Sequence, residues 1–174
     1  MAISLYDVSV VSFLQVLGAM DAVLERGLSH AHDNNVDPQE IVTARLYPDM
    51  LPFAFQIASV AHHSLGAIEG CKAGKFGPPS AGANPTYADL QGLVTSARDG
   101  LSKLTPDEVN ALEGKPVIFE LPAFKIPFTA EGFLMSFSIP NLHFHATTAY
   151  DILRTRGTPL GKRDYLGAMR INAG

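Results

Sequence analysis

The sequence lacks the features that mark secreted proteins. It contains one cysteine, Cys71, in 174 residues, so it cannot form an internal disulfide bond, which is typical of proteins in a reducing compartment. The N-terminus has no basic segment, and Asp7 stands where a signal peptide would carry positive charge. We therefore expect a cytoplasmic protein, in which Cys71 is a structural thiol because no neighbouring residue activates it.

Clusters of positive charge are also missing. The formal net charge is −4, with 13 Lys and Arg residues against 17 Asp and Glu residues. Proteins that bind nucleic acid need clustered Lys and Arg side chains to neutralise the phosphate groups. The sequence therefore predicts no nucleic-acid partner.

No hydrophobic run is clean enough to predict a membrane span. A spanning helix needs about 20 predominantly apolar residues. Two uncharged windows come close, Met50–Ile68 and Gly132–Tyr150, but both contain polar side chains. These side chains are Gln56, His62 and His63 in the first window and Asn141, His143 and His145 in the second. We interpret the windows as the most buried helices of a soluble protein without a membrane partner.

Several catalytic motifs are absent. The sequence has no G-x-S-x-G elbow of a serine hydrolase and no G-x-G-x-x-G or Walker pattern of a nucleotide site. Di-iron helical bundles need Glu-x-x-His motifs on several helices, and none occurs. A mononuclear metal site built from neutral histidines remains as the chemistry to consider.

The composition, with 47% hydrophobic and 17% charged residues, predicts one globular domain over residues 1–174. Apolar residues recur every three or four positions, which predicts four long helices at about residues 4–28, 48–71, 86–104 and 129–156. Residues 30–36 and 74–85 read as loops. Lys115–Thr129 alternates like a short hairpin, in which Pro127 requires an edge strand. The sequence predicts an all-α four-helix bundle with a β-hairpin inserted before the last helix.

The last predicted helix carries the most informative polar residues. At 100° per residue, Asn141 and His145 lie one turn apart on the predicted inner face, between apolar neighbours. Pro140 beside them predicts a kink. A buried amide and imidazole need partners. They either bond to each other, to a tyrosine hydroxyl or to neighbouring helices, or they hold a ligand.

A metal site would need a third ligand, because catalytic zinc uses about three protein ligands and one open position. Asn141 and His145 could supply two. On the second helix, His62 and His63 fall on opposite sides of the apolar stripe, where an edge or surface position is expected for each. Either could complete the set only if the helix turns that edge toward the last helix.

Several short motifs occur together along the chain: Pro48-Asp49-Met50, Pro140-Asn141, His145, Thr147-Thr148-Ala149-Tyr150, Ile152-Leu153-Arg154, Gly157 and Gly161-Lys162-Arg163-Asp164. With these motifs the sequence resembles a bacterial domain-of-unknown-function family in the DinB/YfiT-like superfamily. The resemblance covers nearly the whole chain. It implies a four-helix bundle, often dimeric, in which a divalent metal is commonly bound by three histidines. Two of these lie at i and i+4 on the last helix, and some relatives are metal-dependent thiol transferases.

This sequence departs from the implied triad, because Asn141 occupies the position of the first last-helix histidine. We expect an incomplete site for a divalent metal such as zinc or nickel, formed by His145, Asn141 and His63, with His62 as the alternative second-helix ligand. Such a site would serve a transferase-type enzyme acting on a small molecule. The alternative is a non-catalytic dimeric bundle that binds a small molecule, with the Asn141–His145 pair purely structural.

We also expect a homodimer. His143, Tyr150 and Arg154 lie about opposite the inner stripe of the last helix, beside Phe144 and Thr147. Tyr and Arg are enriched in the cores of protein interfaces. This outer face is therefore predicted to contact a second copy of the chain.

Overall fold

Ten α-helices, two π-helical turns and three strands follow one another in the computed structural model, which describes residues 3–80 and 82–172. The α-helices are α1 Leu5–Val8, α2 Val10–Asp33, α3 Pro38–Val42, α4 Phe53–Ala61, α5 Ala67–Ala73, α6 Tyr87–Ser102, α7 Pro106–Asn110, α8 Ala130–Phe133, α9 Ile139–Thr155 and α10 Lys162–Leu166. The π-helical turns are His62–Gly66 and Leu134–Ser138, and the strands are β1 Lys75–Phe76, β2 Pro116–Leu121 and β3 Phe124–Thr129.

The helix starts follow the local sequence signals. Ser4, Thr86 and Thr105 each form a capping box with the acidic residue three positions later. Asp37 accepts a hydrogen bond from the Gln39 backbone N–H ahead of Pro38, which occupies the first position of α3.

The first long helix extends further than the sequence pattern predicts. Residues 30–36 were expected to form a loop, but α2 continues to Asp33. Two features support the extra turn: Ala31 is fully buried, and the Asn34 side-chain amide donates to the His30 carbonyl at 2.8 Å. Side-chain bonds of this kind satisfy the carbonyls that a helix end leaves open.

Over the residues that the structure describes, one helical stretch is long and apolar enough to span a membrane by length and composition alone. It is Leu5–Asp33, which combines α1 and α2, and 50% of its apolar window is buried inside the fold. Val10, Phe13 and Leu17 on this stretch are all fully buried. A core helix of this length meets the same criterion as a membrane span.

The second long helix starts later than predicted and is not uniform. A loop precedes it in which the Phe53 N–H donates to the Ala44 carbonyl, and α4 begins only after Pro52. The π-helical turn His62–Gly66 then separates α4 from α5. A π-helical turn adds a residue to the helical repeat, so residues beyond it are rotated relative to a regular wheel.

The last long helix contains a second π-helical turn just before Pro140. The Ile139 N–H donates to the Leu134 carbonyl, five residues back. Proline has no N–H, and its ring clashes with the carbonyl four residues earlier in a regular helix. The π-helical turn places Pro140 in the first turn of α9, where a proline is tolerated.

The small sheet has one more strand than predicted. β2 and β3 pair antiparallel, and β1 pairs parallel with β2, giving the order β1-β2-β3. Residues 74–85 were expected to be only a loop, yet Gly74 turns the chain at φ 73° and Phe76 of β1 is buried. Pro127 lies on β3 at the sheet edge, where its missing N–H costs no ladder bond.

The long helices enclose a continuous apolar core. α4 packs against α9 and α6, and α2 packs against α6 and α10. The three phenylalanines Phe13, Phe53 and Phe133 are fully buried in this core. The interface between α4 and α9 also contains polar residues, including Gln56 and His145.

Candidate functional site

The two π-helical turns lie side by side and are joined by a buried hydrogen bond. The Ser138 hydroxyl donates to the His63 carbonyl at 3.0 Å and lies 3.4 Å from His63 Nδ1. His63 is only 3% exposed, and Ser138 is fully buried. π-Helical turns are often found at functional sites, and here they place an imidazole inside the α4–α9 interface.

His145 on α9 faces His63 across this interface. The two rings are nearly parallel, with centroids 5.9 Å apart and an interplanar angle of 13°. His145 Nδ1 lies 2.7 Å from Gln56 Oε1 on α4. The structure therefore brings together two histidines that are distant in sequence, with an amide that orients one of them.

The hydrogen bonds assign the tautomers of both rings. The Gln56 Nε2 donates to the Leu51 carbonyl at 2.8 Å, so Gln56 Oε1 accepts from His145 Nδ1–H. The Ser138 hydroxyl uses its proton on the His63 carbonyl, so it can only accept from His63 Nδ1–H. Nε2 of both rings is left with its lone pair.

Burial keeps both imidazoles neutral. It lowers the pKa of His63 to about 3, and the nearby His62 and His145 rings add to this because a second positive charge would be repelled. Burial alone lowers the pKa of His145 to about 4. The neutral imidazole is the form that binds metals and accepts hydrogen bonds.

The His62 ring lies 5.5 Å from the His63 ring but has different hydrogen-bond and stacking partners. Its Nε2 donates to the Gly77 carbonyl at 2.7 Å, and its ring stacks on Phe76 with centroids 4.2 Å apart. Of the two second-helix candidates, His63 is therefore the one that contacts His145. The expected edge position is wrong for His63, because the buried side of this helix extends to the face that carries Gln56 and Val60, two turns and one turn before it.

Asn141 is half-buried and does not lie at the centre of the inner face. Its Nδ2 donates to the Phe137 carbonyl at 2.7 Å. In residues 3–80 and 82–172, no hydrogen bond joins Asn141 to either histidine, and His145 binds Gln56 rather than Asn141 or a tyrosine. The most buried residues of α9 are Leu142, Ala146, Ala149, Ile152 and Leu153, each at most 1% exposed. The π-helical turn explains the offset, because it breaks the regular 100° progression.

Aromatic rings surround the histidine pair. Phe137 lies 5.7 Å from the His63 ring, and Phe55 and Phe144 contact the His145 ring edge-on at 5.8 and 5.2 Å. This apolar wall removes water from the imidazoles, which is why their pKa values fall. Phe144 remains 58% exposed and marks the outer edge of the site.

The sequence pattern did not single out Gln56 or Ser138. Gln56 is 2% exposed, and its position in an otherwise apolar helix was the only sequence feature that could have indicated a role for it. Ser138 had no signal, because its contact with His63 depends on both π-helical turns. Within the described part of the chain, no group of three or more His, Cys, Asp or Glu residues is placed to hold a metal ion.

Cys71 is buried, and burial raises the pKa of its thiol to about 12, which suits a structural thiol.

On the outer side of α9, the Tyr165 hydroxyl of α10 lies 3.0 Å from His143 Nδ1, and the Tyr165 and Tyr150 ring centroids are 6.2 Å apart. The C-terminal helix thus covers part of the face that was predicted to contact a second copy.

Comparisons with known proteins agree with this architecture. The sequence profile of the family described as Domain of unknown function (DUF1993) matches residues 5–166. A crystal structure of a DinB family member protein from Shewanella denitrificans is similar, with a TM-score of 0.82 and 26% identity over 98% of this chain and 96% of that chain. No curated protein matches the sequence.

Proposed function

Because this chain belongs to the Domain of unknown function family DUF1993 within the DinB-like superfamily, we propose that His63 and His145 form an open site for a divalent metal ion. The observation that supports this most directly is the pair of neutral imidazoles, 5.9 Å apart, whose Nε2 atoms carry free lone pairs. We further propose that the chain is one cytoplasmic domain, a four-helix bundle with the hairpin inserted before the last helix.

The available ligand atoms are expected to bind a divalent metal ion weakly. Two imidazole nitrogens are fewer than the roughly three protein ligands of catalytic zinc. Asn141 is the proposed third ligand through Oδ1, because its Nδ2 is occupied by the Phe137 carbonyl. Asn is a weak ligand for zinc or nickel beside histidine, so the affinity is expected to be modest.

We propose a role as a transferase-type enzyme on a small molecule, as the resemblance to the DinB-like superfamily implies. A bound divalent ion would act as a Lewis acid toward an oxygen or sulfur atom of that molecule. Gln56 would keep His145 in its ligand tautomer, and the aromatic wall would exclude water from the ligands. The alternative remains a non-catalytic bundle in which the histidine pair is structural and a small molecule is only bound.

Zinc or nickel is expected to raise the melting temperature of tag-free protein relative to EDTA. At a hundredfold excess over Kd, linkage contributes about 2.7 kcal/mol, or ~5–10 °C for a chain of this size. His63→Ala and His145→Ala should abolish the shift, whereas His62→Ala should keep it because His62 Nε2 is engaged with Gly77. Thermal melts of the four proteins in each metal and in EDTA measure this.

Identical wild-type melts in zinc, nickel and EDTA would overturn the metal proposal and leave the structural alternative. A shift that persists in both His63→Ala and His145→Ala would place the metal elsewhere on the chain. Loss of the shift in His62→Ala alone would assign the second-helix ligand to His62 instead.

We also propose that the protein is a homodimer that uses the exposed edge of α9 around Phe144, which is 58% exposed. Light scattering at micromolar concentration is expected to give about twice the chain mass of 18.6 kDa. Phe144→Glu should yield the monomer, because burying a carboxylate at an interface is costly. Phe124→Glu, at a residue 49% exposed on the hairpin, is the matched control and should stay dimeric. A wild-type monomer would refute the proposal.

A further inference from the structure

A cleft lies beside the histidine pair, on the far side of the Phe55 ring. It has a volume of about 490 Å³, which falls within the roughly 300–1,000 Å³ typical of small-molecule sites. Its walls are formed by α3, the loop that follows it, the first turn of α4 and the described residues within 79–85, in the loop before α6. Val42, Leu51, Ala54 and Phe55 make much of the lining apolar.

Arg45 is the one charged residue among the described residues that line this cleft. Its Nη1 donates to the Met50 carbonyl, which holds the guanidinium group against the loop. Over residues 3–80 and 82–172 it forms no salt bridge with an acidic side chain. Thr43 and Asn84 add neutral polar groups to the same lining.

The cleft and the histidine pair share one wall. The Phe55 ring lines the cleft and contacts the His145 ring edge-on at 5.8 Å. The next residue, Gln56, binds His145 Nδ1. A molecule seated against Phe55 therefore lies one aromatic ring away from His145.

We propose that this cleft binds a small organic anion. Its apolar body packs against Leu51 and Phe55, and its oxyanion accepts hydrogen bonds from Arg45. A guanidinium group offers several donors in one plane and matches the oxygens of a carboxylate, sulfonate or phosphate group. No acidic residue is among the described residues of the lining, so none there competes with the anion for Arg45. The proposal goes beyond the metal site and does not require a bound ion.

Fluorescence titration with 8-anilinonaphthalene-1-sulfonate, in EDTA, tests the proposal. N-phenyl-1-naphthylamine has the same aromatic body without the sulfonate and serves as the neutral probe. Arg45→Gln is expected to weaken binding of the sulfonate about tenfold or more, since a hydrogen bond to a charged group is lost. Binding of the neutral probe should not change. Arg163→Gln, at an exposed arginine outside the lining, should leave both affinities unchanged.

Two further variants test where the probe binds and whether the effect of Arg45→Gln comes from the lost charge rather than from misfolding. Leu51→Gln should weaken both probes, because Leu51 is part of the apolar lining. Arg45→Lys keeps the charge and should recover part of the sulfonate affinity. In the wild type, probe binding should shift the His145 ring-proton resonances, because the Phe55 ring between them moves or changes its surroundings.

The proposal is overturned if the wild type does not bind the sulfonate, or if Arg45→Gln and Leu51→Gln bind it as the wild type does. Equal weakening of both probes in Arg45→Gln would also overturn it, since the charge would then not be what is recognised. All titrations contain EDTA, so their outcome is independent of the metal-dependent melts.

Discussion

Replacing Gly70 by alanine is expected to lower the free energy of unfolding by about 1–3 kcal/mol, as overpacking of a close contact does. A Cβ atom on Gly70 would lie 2.8 Å from Phe76 Cδ2 and 3.2 Å from the Lys75 backbone carbonyl. The backbone atom cannot rotate away, so α5 and β1 would have to separate. The loss would exceed the roughly 1 kcal/mol that alanine normally gains over glycine inside a helix. Urea unfolding followed by circular dichroism measures the change.

Gly18→Ala is the matched control. Gly18 lies in the middle of α2, and a Cβ atom there would have no neighbour within 4 Å. This variant should therefore be more stable than the wild type by about 0.5–1 kcal/mol. Equal stability of Gly70→Ala and Gly18→Ala would show that α5 and β1 do not approach each other as closely as the structure places them.

The contact between Gly70 and Phe76 also affects the packing around the His63–His145 pair. Phe76 stacks on His62 and lies 5.4 Å from the His63 ring. A displaced Phe76 should therefore loosen the packing of the histidine pair as well as the sheet. Proton exchange at the His63 and His145 ring nitrogens, followed by NMR, should be faster in Gly70→Ala than in Gly18→Ala.

Helical periodicity predicted the positions of the long helices because apolar spacing and caps are local signals. In the first long helix, Val10, Phe13, Leu17, Met20 and Leu24 recur every three or four positions, and all five are buried. The wheel fails where the backbone leaves the α-helical repeat. Both π-helical turns lie inside the predicted helices; Pro140 indicated an irregularity at the second, but no residue pattern indicated the first.

The candidate site was only partly predictable. His145 and His63 could be named from their residue types and from the resemblance, but their contact joins two helices that are distant in sequence. Gln56 orients His145 across 89 residues of sequence, which no local pattern encodes. Strand β1 was missed because two residues are too few to show an alternation.

Lowering the pH from about 7.5 to 5 in EDTA is expected to reduce the free energy of unfolding by about 2–4 kcal/mol, from His63 and His145 alone. An unfolded histidine titrates near its ordinary pKa of about 6.5, whereas these two have folded-state pKa values of about 3 and about 4. Between these limits the unfolded chain binds more protons than the folded chain. The free energy of unfolding is therefore not reduced by these two histidines above about pH 6.5, and it decreases as the pH falls below that value.

The double variant His63→Gln, His145→Gln should lose most of this pH dependence. His62 and His143, whose pKa values are also lowered by burial, account for the remainder in the same direction. His32→Gln, at an exposed histidine outside the pair, is the matched control. Urea unfolding between pH 7.5 and 5 tests this window, in which unperturbed carboxylates contribute little because their pKa values lie near 4. A flat wild-type profile, or the same slope in the double variant, would mean that the imidazole pair is not buried and neutral as the structure places it.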